Sequence, residues 1–183
     1  MIRAIFLDVD GTLISFSTHE IPASARRALT QAHERGVRLF IATGRAANDL
    51  GPLEGIPYDG VVSLNGARCV ANDGRVVSLH PIPRADFERA LALSEEQDFA
   101  MGLELEEGVF VNRVTPDVER VAHMVAHPVP KQTDLRELFG RVECCQLCFY
   151  FDAETQRRVM AELPTLVASR WCPTMKFPII PTL

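Results

Sequence analysis

The sequence has 183 residues, with 19 Lys and Arg against 24 Asp and Glu for a formal charge of −5, and 47% hydrophobic against 23% charged residues. That composition excludes a disordered or collagen-like chain, and the length suits one sizeable domain or two small ones. Lys131 and Lys176 are the only lysines and the arginines are scattered, which excludes the basic stripe that nucleic-acid phosphates require.

Residues 2–7 form a short, almost wholly apolar run of branched and aromatic side chains, the pattern of a strand covered on both faces. It ends in Asp8-Val9-Asp10-Gly11-Thr12. A helix is predicted from Pro22, with Ala25, Leu29, Ala32 and His33 on one side and Arg35-Gly36 as its stop. A second apolar strand over 37–42 ends in Thr43-Gly44-Arg45, and a third over 60–64 ends in Asn65-Gly66. Strand, helix and strand make a right-handed parallel unit. The polar clusters therefore fall at the carboxyl ends of neighbouring strands, where open α/β sheets bind ligands.

From Ala67 the pattern changes. Residues 67–70 and 75–79 flank Asn72-Asp73-Gly74 and predict a hairpin. Pro81-Ile82-Pro83 reads as a linker, with a domain boundary near 80–84. Beyond it the spacing predicts helices over 85–97, from Thr115-Pro116-Asp117 onward, over 135–139 and over 153–163. Strands are predicted over 100–105, 109–112, 142–151 and 165–171, which suggests a small α+β domain. The stretch after Cys172 is interrupted by Pro173, Pro178 and Pro181 and reads as a linker.

No apolar stretch approaches the about 18–20 residues needed to cross a bilayer, and Asp8 interrupts any N-terminal signal segment. No membrane association is expected, and the cytoplasm is the expected location. Five cysteines, an odd number, suit reduced core thiols better than a disulfide framework. Cys145 and Cys148 make a C-x-x-C inside a buried strand pattern with no second ligand pair, which reads as core. Glu104, Glu106 and Glu107 read as a solvated edge, and Phe149, Tyr150, Phe151 and Trp171 as core of the second domain.

Asp8 and Asp10 stand one residue apart just past a strand end, so both carboxylates can approach one point. Two such acids repel unless a cation or shared proton intervenes, and Mg²⁺ prefers one or two carboxylates together with phosphate and water. Thr43 and Gly44 add a hydroxyl and an amide of the kind a phosphoryl oxygen accepts from, and Arg45 adds an anion-binding guanidinium. The competing reading makes Asp8 and Asp10 simple turn formers. The neighbouring strand ends weigh against it.

Asp8-Val9-Asp10-Gly11-Thr12-Leu13 resembles the D-x-D-G-T-L signature of the haloacid dehalogenase superfamily, and Ile41-Ala42-Thr43-Gly44-Arg45 resembles its second motif. Ser63-Leu64-Asn65-Gly66-Ala67 is similar to a segment of the Cof-type, subclass IIB branch of sugar-phosphate phosphatases. The resemblance implies an α/β fold: a Rossmannoid parallel-sheet core over 1–80 with a returning tail at 173–183, and an inserted α+β cap over 84–172. It implies Mg²⁺-dependent hydrolysis of small phosphorylated metabolites through a phosphoaspartyl intermediate. Asp8 would be the nucleophile and Asp10 the acid and base. Asp8 and the Asp10 backbone carbonyl would hold the metal, and Thr43, Gly44, Arg45 and Asn65 the phosphate side of the substrate.

The family pattern also has a lysine after the cap and a later Gly-Asp-x-x-Asn-Asp-type loop. No Gly-Asp pair occurs after Gly140, and Lys176 is the one late lysine, placed ahead of Ile179-Ile180-Pro181. The departure implies an incomplete core, weaker metal binding and impaired turnover. A non-catalytic phosphate- or partner-binding remnant is therefore an alternative, and a receiver-like phospho-accepting domain a second. It also implies an open apolar edge at residues 2–7, to be covered by another copy of the chain, by the tail or by a further fragment.

Overall fold

The computed structural model describes residues 2–15, 17–18, 20–125 and 127–166, with side chains as far as Val159. The chain divides into two compact units, Met1–His80 and Pro81–Leu183.

In the first unit β1 (Ala4–Leu7), β2 (Arg38–Ala42) and β3 (Gly60–Ser63) are parallel, and β4 (Arg68–Ala71) and β5 (Val76–Leu79) continue the sheet antiparallel, in the order β1-β2-β3-β4-β5. The connection from β1 to β2 carries α1 (Ala23–Glu34), which follows Pro22 and ends where Gly36 takes φ +83°. Alternation along each strand sends one set of side chains to α1. Ile5, Leu7, Leu39, Ile41 and Val61 pack there with Leu29 and Ala25. The hairpin turns at Gly74, φ +82°. Among the described residues β1 pairs on one side only, and Ile2 and Phe6 are 69% and 63% exposed.

The second unit is a four-stranded sheet, β8 (Lys131–Gln132), β7 (Gly108–Val111), β6 (Ala100–Leu105) and β9 (Gln146–Tyr150), in that order. Its pairings are antiparallel except the parallel β7–β8 contact. Around it lie α2 (Arg84–Glu96), α3 (Pro116–Met124), α4 (Leu135–Phe139) and α5 (Ala153–Leu166). Thr115 caps α3 through its hydroxyl and Asp134 caps α4 through its carboxylate, each accepting from backbone N–H groups that a first turn leaves unpaired. One face of the sheet packs Met101, Leu103, Leu147 and Phe149 against Phe87, Leu91 and Leu135, with Phe99 edge-on to Phe149 and Phe151. Phe149 is fully buried. Phe149→Ala is expected to cost about 3–5 kcal/mol of stability, read as a drop in the denaturation midpoint without a change in slope.

Three expectations are revised by the structure. The strand expected over 142–151 narrows to β9, because Gly140 ends α4 and residues 142–145 complete the turn into the sheet. Thr165 and Leu166, expected to begin a strand, close α5, and the rest of that expected strand, with Trp171 and the tail at 173–183, lies outside the described residues. Glu104 is not a solvated edge: β6 runs between β7 and β9, so Glu104 is half-buried, accepting from the amide of fully buried Gln146 and from the Cys148 thiol at 3.5 Å. Cys144 is buried too, which pushes its thiol pKa up to about 12. No helix among the described residues is long and apolar enough to cross a membrane.

Candidate active site

β1 and β2 run side by side in the same direction with Leu7 opposite Ile41, so the next residues, Asp8 and Thr43, leave the sheet at the same edge. Alternation then sorts the loop. Val9 is 1% exposed and Leu13 and Ile14 are buried with it, whereas Asp8 and Asp10 on either side of Val9 face solvent. The loop closes on itself through the Leu13 and Ile14 amides, both donating to the Val9 carbonyl, and through the Gly11 amide donating to the Ile14 carbonyl at 2.8 Å. Gly11 has φ +80°, a conformation that costs a glycine little. The Thr12 hydroxyl donates to Asp8 Oδ2 at 3.0 Å.

Asp10 meets Arg45. The guanidinium donates through Nε to Asp10 Oδ2 at 2.9 Å and through Nη2 to Oδ1 at 2.7 Å, a bidentate pair joining the first loop to the second. The hydrogen bond to Asp10 is the chief reason that the Arg45 pKa lies above its ordinary value, against the opposing effect of burial. The third nitrogen, Nη1, reaches the carboxylate and main-chain oxygens of Asp49.

Thr43 is buried, with its amide bonded to the Val62 carbonyl at 2.9 Å and its hydroxyl accepting from the Arg45 amide at 3.1 Å. That acceptance leaves the hydroxyl proton to donate elsewhere. Gly44 lies between them. The third loop is tied to the second by the Leu64 amide donating to Arg45 O at 3.1 Å and the Asn65 amide to Thr43 O at 3.2 Å. Leu64 and Asn65 have φ of +50° and +53°. This left-handed turn costs about 1–2 kcal/mol at a leucine, and burial of Leu64 together with these bonds holds it. The structure thus joins Asp10 to Arg45, ties Thr43 to the Arg45 and Asn65 amides, and leaves Asp8 at the carboxyl end of β1, the strand paired with β2. Asp49 was not apparent from the sequence; its one signal was the four-residue spacing from Arg45.

These features define a class. The family model of haloacid dehalogenase-like hydrolases matches residues 5–177, and the chain belongs to that family. Among solved structures, BT1666 from Bacteroides thetaiotaomicron, a phosphatase of the same superfamily, is 52% identical with a TM-score of 0.84 over 93% of this chain and 64% of that one. The subclass IIB sugar phosphatase BT4131 is 28% identical with a TM-score of 0.75, over 89% of this chain and 64% of that one. YkrA of Bacillus subtilis strain 168, which bears the name of a phosphatase, is 30% identical over 95 residues, 51% of this chain and 36% of YkrA. The chain spans less than two thirds of the length of each of these relatives.

Proposed function

We propose that the protein is a phosphomonoester hydrolase for small phosphorylated metabolites such as sugar phosphates, working through a phosphoryl group carried on Asp8. The observation that supports it most is the convergence of the loops: the acidic pair after β1, with Asp10 gripped by an arginine from the loop after β2. A carboxylate oxygen of Asp8 attacks phosphorus in line as the ester oxygen leaves. Asp10 gives that oxygen a proton, then takes one from the water that attacks phosphorus and releases phosphate from Asp8. Thr43 donates its hydroxyl proton to a phosphoryl oxygen, with the Gly44 amide beside it and Arg45 and Asn65 at the rim.

The donor set fits Mg²⁺, a hard ion that binds oxygen. Asp8 has one carboxylate oxygen on Thr12 and the other without a partner among the described residues, and the Asp10 carbonyl would be the second ligand. When bound, the ion supplies charge neutralisation at the phosphoryl group.

The domain reading belongs to the same proposal: 1–80 and 173–183 as core, 84–172 as a cap that selects the substrate. A cytoplasmic setting suits the reduced thiols Cys69, Cys144, Cys145 and Cys148.

The test is hydrolysis of a generic phosphate monoester with and without added Mg²⁺. Mg²⁺-dependent release of phosphate supports the enzyme. Phosphate binding without turnover would replace it by the remnant reading, and a stable adduct on Asp8 by the receiver reading.

Among the described residues β1 is paired on one side only, which further suggests self-association. Phe6 stacks on Phe40 with ring centroids 4.9 Å apart, and still leaves most of its surface to water. Sedimentation is expected to show concentration-dependent association that Phe6→Lys weakens by about tenfold or more, since a charge on an edge opposes pairing. A wild-type monomer at every concentration would contradict it.

A further inference from the structure

Arg45 is held on two sides. Its Nε and Nη2 serve Asp10, while Nη1 donates to Asp49 Oδ2 and to the Asp49 main-chain oxygen, each at 3.2 Å. The guanidinium is a rigid planar fork. An arginine bound only through the Asp10 side could still pivot about its long stem, and its fork would carry the Asp10 carboxylate with it. Fixing Nη1 removes that freedom.

The segment between the two residues is built to present this anchor. The turn after Arg45 closes with the Asp49 amide donating to the Ala46 carbonyl at 3.1 Å, and Ala46 and Leu50, on either flank, are buried. One side-chain and one main-chain oxygen of Asp49 thereby reach the same nitrogen. The Arg45 side chain is 21% exposed and that of Asp49 is 37% exposed, so the contact is partly withdrawn from water, which would otherwise replace it readily.

From this geometry we infer that Asp49 is a positioning residue: through Arg45 it sets the orientation of the Asp10 carboxylate for proton exchange with the leaving oxygen and the attacking water. The inference rests on the reading of Asp10 as acid and base. It concerns the direction in which the carboxylate points, so its effect falls on the reacting state more than on substrate capture.

The experiment follows the Arg45 Nε–H resonance in the ¹⁵N-labelled full chain, assigned by its loss in Arg45→Lys, alongside steady-state kinetics. Asp49→Ala removes the side-chain acceptor; Asp49→Asn keeps an acceptor of the same shape. In Asp49→Ala, Nε keeps its own acceptor on Asp10, but a fork no longer fixed at Nη1 by the Asp49 carboxylate opens that bond more often, so solvent exchange of the Nε proton is expected to quicken about tenfold. The turnover number should fall by a similar factor with KM unchanged, while Asp49→Asn stays close to wild type in both. Exchange in Asp49→Ala within about twofold of wild type would overturn the anchor. Faster exchange with an unaltered turnover number would overturn its role toward Asp10, and Asp49→Asn behaving like Asp49→Ala would show that charge, not position, matters. A wild-type chain without turnover would overturn the phosphatase reading instead, and the exchange rates would still decide whether Asp49 holds Arg45.

Discussion

Replacing Asp8 with Asn is expected to lower phosphate-ester turnover by about a thousandfold or more, equivalent to about 4 kcal/mol of barrier. An amide keeps the size of the side chain and an oxygen for the Thr12 hydroxyl, but it lacks the anionic nucleophile. The proposed route offers no second nucleophile in its place, because Asp10, held by Arg45, is assigned to proton exchange. The fold should not suffer. Asp8 is exposed, and the loop is held by buried Val9, Leu13 and Ile14 and their backbone bonds. The check is an initial-rate assay paired with a thermal melt: lost rate at an unchanged midpoint is the expected result. Equal rates in the variant and the wild type would assign any observed hydrolysis to another group.

Asp10→Asn is expected to act differently. The substituted residue still offers its backbone carbonyl, and phosphoryl transfer to Asp8 continues where the leaving group needs no proton, as with a nitrophenolate. The water that must then attack the phosphoryl group has lost its base. Overall turnover should fall by about 10²- to 10⁴-fold, the usual worth of general acid–base catalysis, and the phosphorylated enzyme should accumulate. Esters with poor leaving groups, such as sugar phosphates, should lose the first step as well. A burst of leaving group followed by a slow steady rate is the kinetic sign to seek.

Much of this arrangement was legible in the sequence, and what was not has physical reasons. β1, β2 and β3 are short apolar runs, and α1 lies between Pro22 and Gly36, so local chemistry marked them clearly. The acidic loop was legible because Asp-x-Asp-Gly follows a strand directly. β8 was not: Lys131 and Gln132 are both exposed, carry no apolar alternation, and become a strand only through pairing with β7. The burial of Glu104 depended on the order of strands, which spacing alone does not show. Arg45 was read as a guanidinium for the substrate's phosphate; its pairing with the carboxylates of Asp10 and Asp49 was not read, because it depends on the register Leu7 opposite Ile41 and on the turn that returns Asp49 toward it.

The proposal stands on a covalent bond between phosphorus and one carboxylate. Rapid quenching of Asp10→Asn during turnover of a nitrophenyl phosphate in Mg²⁺, followed by mass spectrometry of the digested chain, tests this most directly. The expected result is a phosphoryl group on the peptide containing residue 8 and on that side chain alone. Steady hydrolysis with no adduct on that peptide, or an adduct on another residue, would contradict it.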